Sequence, residues 1–154
     1  MPIRQMNSAD IPAVLKIQGE LAFQDWNERQ FELEIRAPYT YAAVYESEGG
    51  IMGYVVFHLL GADSELLSIA VRESAQHSGI GSKLLQSGLS QLDIEKGDRC
   101  FLEVRENNVK ARHFYENHGF SLFATRKKYY ADGENAALYR TEISCDISRP
   151  SKGV

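Results

Sequence analysis

Residues 76–81 read Gln-His-Ser-Gly-Ile-Gly and lead directly into a run with helical leucine spacing. Two glycines one residue apart at a helix entrance leave the backbone bare. A helix start has unpaired N–H groups and the positive end of the helix dipole, so such a loop is an anion site, above all for phosphate. Glycine suits it twice over: it accepts a positive φ, and it has no Cβ to block close approach. Two familiar phosphate patterns fail. The Walker pattern needs Lys directly after the second glycine, but Ser82 intervenes before Lys83. The dinucleotide pattern needs a third glycine where Leu84 stands. A plain helix entry turn with two convenient glycines is the competing reading.

Three other residues are of chemical interest. In Cys-Phe-Leu-Glu-Val-Arg (100–105), strand alternation puts Glu103 on one face with Phe101 and Arg105, opposite Leu102 and Val104. A carboxylate within an apolar strand is either a general base or a Glu paired with Arg105 or a nearby lysine. Tyr115 lies about two turns into a helical segment, on a stripe with Ala111 and His118. Its phenol has a pKa near 10, comparable to a thiol's, and could protonate a departing thiolate; the plainer reading is a core aromatic. Asn108 heads the same segment, as an N-cap or as a ligand to a cofactor.

The elements that must carry these groups follow from periodicity. Ile3–Met6 reads as a strand. Ser8 is expected to cap a helix whose face is Ile11, Val14, Leu15, Ile17 and Gln18, with Pro12 tolerated in its first turn. A second helix is expected across residues 27–37, before Pro38. Two β-prone runs around Gly49-Gly50 predict a hairpin, and residues 65–71 a further strand, the three forming an antiparallel meander. The leucine spacing after the glycine loop predicts a helix running to Gly97. Residues 100–105 form a strand, the Asn108 segment a helix ending at Gly119, and residues 121–130 and 136–144 two closing strands. The order β–α–α–β–β–β–α–β–α–β–β makes an α/β (mixed α+β) sheet with helices on both faces.

Composition narrows the function. The 154 residues suit a single domain, expected over residues 1–145 with a tail at 146–154, large enough to fold without disulfide or metal. There are 17 Lys and Arg against 21 Asp and Glu, a net charge of −4, which argues against a general nucleic-acid binder. Cys100 and Cys145 are far apart, and neither they nor the four histidines show ligand spacing; no metal is expected. No signal peptide and no membrane-spanning apolar run is apparent, so a cytoplasmic protein without membrane or nucleic-acid partners is expected.

The loop fits a third pattern, Gln/Arg-x-x-Gly-x-Gly/Ala, and with it the chain resembles the GCN5-related N-acetyltransferases, whose acyl-CoA pyrophosphate loop has that form. Residues 66–85 resemble the family's fourth strand and loop, and residues 101–120 its fifth strand and following helix. Leu-Glu-Val-Arg (102–105), Asn108, Phe-Tyr-Glu (114–116) and Gly119-Phe120, with residues 126–133, are closer still to the RimI-type branch, which acetylates the amino-terminal alanine of ribosomal protein S18. The likeness is good over residues 66–143 and loose over 1–65, where Phe23 and Trp26 match a substrate-side segment. One departure is His77, standing where arginine is common.

The resemblance implies a splayed, mostly antiparallel mixed sheet flanked by helices, and acetyl-CoA as cosubstrate. The implied cofactor contacts are Ile69, Ala70 and Val71 from a bulged fourth strand, Gln76, His77, Ser78, Gly79, Ile80, Gly81 and Ser82 from the loop, and Asn108. The implied catalytic pair is Glu103 as water-mediated base and Tyr115 as acid, with Trp26, Tyr129 and Tyr130 lining the acceptor groove; an edge-strand role for the two tyrosines is the plainer alternative. The expected activity is acetyl transfer to a protein N-terminal α-amine, that of ribosomal protein S18 first among candidates. A peptide α-amine titrates at about 7.7–8 and a lysine at about 10.4, so a lone glutamate suits the former better. The alternatives are a small-molecule amine or lysine acceptor and, from another class, a non-catalytic acyl-CoA-binding module, against which the presence of both Glu103 and Tyr115 argues.

Overall fold

The computed structural model describes residues 2–21 and 26–142. Its elements are β1 (Ile3–Gln5), α1 (Ile11–Leu21), α2 (Glu28–Arg36), β2 (Thr40–Ser47), β3 (Gly50–His58), β4 (Asp63–Val71), α3 (Ile80–Leu89), β5 (Arg99–Arg105), α4 (Val109–Glu116), β6 (Phe120–Arg126) and β7 (Ala136–Thr141), in the expected order. The strands are ordered β1-β2-β3-β4-β5-β7-β6. The chain divides into two compact units, one from residues 1–59 and 66–91, the other from 60–65 and 92–154.

In the first unit β2 pairs antiparallel with both β1 and β3. Alternation sorts its side chains. Ala42, Val44, Tyr54 and Val56 join Ile11, Val14 and Ile17 of α1 and Phe31 of α2 in one core. The opposite face meets α3: Gly53 lies against Leu84, and a Cβ on Gly88 would overlap the buried Phe57 ring. Helices therefore cover both faces of this part of the sheet. Each large side chain buried here stabilises the fold by roughly 1.5–3 kcal/mol. The buried Tyr54 hydroxyl finds a partner in Ser68 Oγ at 3.0 Å, and burial pushes its pKa up to about 12.

Two local expectations are corrected. Ser8 is not the first helix cap. Asn7 caps a short 3-10 turn (Ser8–Asp10) that precedes α1, because Asp10 stands three residues on and returns its carboxylate to the Asn7 N–H at 2.9 Å. The Ser8 hydroxyl turns to Glu32 instead. α3 ends at Leu89, not near Gly97. Beyond it the Asp93 side chain accepts from the Lys96 N–H and caps a separate 3-10 turn (Ile94–Lys96), which Gly97 ends with φ +97°.

In the second unit β7 pairs antiparallel with β5 and β6, and Asp63–Glu65 of β4 pair parallel with Arg99–Phe101. The strand expected over residues 121–130 stops at Arg126. Lys128 takes φ +53°, which breaks the pleat, and its N–H goes to Asn135 Oδ1 at 2.9 Å. Tyr129 and Tyr130 therefore stand in a loop, and an edge-strand role is excluded for them. Among the described residues no helix is long and apolar enough to cross a membrane.

Candidate active site

The predicted residues fall in both units. In the first, β4 ends at Val71, and after a 3-10 turn (Glu73–Ala75) the glycine loop enters α3. Gly79 is the N-cap, with φ +89° and ψ 0° and no side-chain cap hydrogen bond, so the helix entrance is left without a capping side chain. His77 also has a positive φ, +65°, one of two such non-glycine residues among those described. Histidine tolerates this region better than most side chains. Residues 77–79 are exposed.

Gly79 is needed for its backbone angle, not for crowding: an added Cβ would meet nothing within 4 Å. Gln76 donates its side-chain amide to the Val71 carbonyl at 3.0 Å and thereby ties the loop to the strand end. The Ser78 hydroxyl bonds to the Ala75 carbonyl. Both side chains shape the loop and leave exposed backbone at the α3 entrance, an arrangement of the kind that can receive an anion such as a diphosphate. Ala70 is buried, and Ile69 and Val71 are half-buried. The Ala70 carbonyl lies so close to Gly53 that a Cβ there would come within 2.8 Å of it. Sequence reasoning passed over Gly53, whose partner is far along the chain.

Trp26 stacks on Phe31 with ring centroids 5.0 Å apart, and its carbonyl accepts from Gln18 Nε2 at 2.7 Å. Phe23 and Cys145 lie outside the described residues, as does the expected tail.

In the second unit β5 alternates as predicted, with Cys100, Leu102 and Val104 buried. Glu103 is on the exposed side of the strand, not enclosed by apolar neighbours. The Tyr129 hydroxyl lies by the Glu103 carboxylate, whose acceptor oxygens and charge hold the Tyr129 pKa above its ordinary value. Tyr130 is raised as well, by burial first and then by Glu103. So the structure brings Glu103, Tyr129 and Tyr130 together. The expected alternative, a Glu103–Arg105 pair, does not form: Arg105 Nη1 lies 2.9 and 3.1 Å from the two carboxylate oxygens of Asp132, and its guanidinium sits 4.3 Å over the Tyr130 ring. Glu103 also borders a groove of about 460 Å³ with Glu65, Phe101, Phe123 and Arg126.

Asn108 caps α4, its side chain accepting from the Ala111 N–H at 3.1 Å. That satisfies the plain reading of the residue and leaves its amide nitrogen for other partners. The helix is fastened to β7 by a chain sequence reasoning did not find: Arg112 Nε donates to the Tyr139 hydroxyl at 2.8 Å, which donates to Glu116 at 2.7 Å. Tyr115 packs its ring against Phe114 and Phe120 at 5.4 and 5.8 Å. Burial of its phenol, helped by Cys100, pushes its pKa well above the ordinary tyrosine value, so it holds its proton throughout the neutral range.

Comparison with known proteins bears on all of this. Residues 5–120 match the acetyltransferase (GNAT) family. An N-alpha-acetyltransferase of Sulfurisphaera tokodaii is 31% identical over 150 residues, 88% of this chain and 89% of the relative. The N-alpha-acetyltransferase RimI of Mycobacterium tuberculosis is 29% identical over 147 residues, 91% of each. Among solved structures, the ribosomal-protein-S18-alanine N-acetyltransferase of Escherichia coli superposes with a TM-score of 0.79 at 25% identity, covering 99% of this chain and 97% of that one. With three quarters of its length inside the family's pattern, the chain belongs to the GCN5-related N-acetyltransferases, enzymes that take their acetyl group from acetyl-CoA.

Proposed function

We propose that this enzyme acetylates the free α-amine of a protein amino terminus, with the amino-terminal alanine of ribosomal protein S18 as the first candidate. The observation that carries this reading is Glu103, exposed on β5 beside two loop tyrosines, with the neighbouring arginine bound elsewhere. One carboxylate of this kind is enough for an amine that is already partly neutral at pH 7. Relatives named as α-amine and S18-alanine acetyltransferases support the choice of acceptor.

In this reading the amides of residues 77–82 hold the diphosphate of acetyl-CoA, and Asn108 adds a contact. Backbone groups of Ile69, Ala70 and Val71 hold the pantetheine and the thioester oxygen; one N–H on a developing oxyanion contributes roughly 3 kcal/mol. The neutral amine nitrogen bonds to the acetyl carbon, and Glu103, through a water, takes the proton that the nitrogen sheds as the bond forms. The carbon–sulfur bond breaks, Tyr115 gives its proton to the leaving thiolate, and exchange with solvent restores both residues. Trp26, Tyr129 and Tyr130 line the acceptor path. Residues 1–145 act as one acetyltransferase domain, with 146–154 a tail.

The test is mass spectrometry of products formed with acetyl-CoA and three acceptors: a peptide beginning with the S18 sequence, the same peptide N-blocked but carrying a lysine, and a polyamine. Acetyl on the free α-amine, with Glu103→Gln slowing it at least about 100-fold, is the expected result. Acetyl on the lysine peptide or the polyamine alone would overturn the acceptor assignment. Binding of acetyl-CoA without any product would favour a non-catalytic module.

A further inference from the structure

Arg105 and Glu103 occupy successive positions on one face of β5. At about 3.3 Å per residue their Cα atoms are about 7 Å apart, within easy reach of an arginine side chain. An arginine so placed can reach the carboxylate if nothing else holds it. Here something does: Asp132 binds the guanidinium through both its oxygens, and Tyr130 lies beneath it at 4.3 Å. Asp132 is itself fixed, its Oδ1 accepting the Glu134 N–H at 3.0 Å in a turn where Gly133 has φ +89°.

The other charged and titratable groups around Glu103 are Tyr129 and Tyr130 in the loop, Arg126 on β6, Arg140 on β7, and Asp63 and Glu65 on β4. The two other arginines also sit over rings, Arg126 over Tyr129 at 5.4 Å and Arg140 over Phe123 at 4.7 Å. Arg105 alone among the three has an ion pair with a second carboxylate among the described residues.

We propose that Asp132 is a positioning residue that holds Arg105 away from Glu103, keeping that carboxylate open for the acceptor amine and its water. This rests on Glu103 being the base. The pair is half-exposed and adds little to stability, as surface ion pairs generally do. Its effect is on where one positive charge rests. In Asp132→Asn the guanidinium loses its counter-charge and turns to Glu103, which lowers the carboxylate's proton affinity and occupies its oxygens. Removing the arginine as well removes the intruder. A mere brace for the loop predicts the opposite: Arg105→Gln and Asp132→Asn would do equal damage, and the double variant would be no better.

The experiment follows the Glu103 carboxyl by NMR in the full chain with 13C-carboxyl-labelled glutamate, assigned with Glu103→Gln, in wild type, D132N, R105Q and the double variant. The same proteins are assayed for acetyl transfer to an alanine-first peptide. The expected result is a Glu103 midpoint roughly 1 pH unit lower in D132N and kcat/KM about tenfold lower. The double variant returns to the R105Q values, which lie near wild type. An unmoved midpoint in D132N, or a double variant as impaired as D132N, would overturn the proposal. If Glu103→Gln is fully active while the midpoints move as expected, the base assignment fails and the placement of Arg105 by Asp132 stands.

Discussion

Replacing Gly79 by alanine isolates what the glycine loop does. At φ +89° an alanine is strained by about 1–2 kcal/mol. The steric contribution is nil, since an added Cβ has nothing within 4 Å. The strain can stay in place and lower stability, or the exposed loop can relax to a negative φ and turn its amides away. Because binding needs the original loop, whatever is recovered in stability reappears as lost affinity, and the two losses add to the same total. Residues 77–79 are exposed, so relaxation wins. We expect the dissociation constant for acetyl-CoA, by titration calorimetry, to rise roughly 5- to 30-fold, the factor that 1–2 kcal/mol represents. The urea midpoint should move little. Gly97→Ala is the control, with φ +97° and equally open surroundings but after a different turn; it should lose stability and keep its affinity. A Gly79→Ala protein that binds acetyl-CoA as wild type does would refute the reasoning.

Three further outcomes follow from particular contacts. Tyr115→Phe should bind acetyl-CoA within about twofold of wild type and lose at least about tenfold in kcat; because burial raises the phenol's pKa, wild-type kcat should show no alkaline fall from this group below pH 10. Gly88→Ala should destabilise the protein by roughly 1–3 kcal/mol in urea, since its methyl overlaps the Phe57 ring in a closed core. Burial opposes ionisation of Asp10, but the bonds from Arg4 and the Asn7 N–H outweigh it and hold its pKa below the usual value. Its contribution is therefore full above about pH 4 and lost as pH falls through the lower folded value. Asp10→Asn should cost about 1–3 kcal/mol at pH 7, and urea melts of the two proteins should draw together as the pH is lowered through that folded value.

The element order was legible because each element carries its own period, and Glu103's face because β5 alternates residue by residue. The glycine loop was legible for the same reason: the left-handed angle at Gly79 is a local demand. Where prediction failed, a short-range competitor was overlooked. The leucine spacing runs past Leu89 to Leu92, but the helix ends at Leu89 and Asp93 caps a separate 3-10 turn. Tyr129 and Tyr130 are β-prone, but the Lys128 angle ends the strand before them. Other features depend on partners far along the chain. Nothing in residues 100–105 says that Arg105 turns to Asp132, 27 positions on, and nothing around Gly53 or Gly88 announces the Ala70 carbonyl or the Phe57 ring.

The loop's role as the diphosphate site is tested most directly by adding acetyl-CoA to 15N-labelled protein and following the backbone amides. The amides of residues 77–82 should show the largest shifts, and desulfo-CoA, which keeps the diphosphate, should reproduce them. Saturable binding that leaves those six amides unmoved would contradict the account.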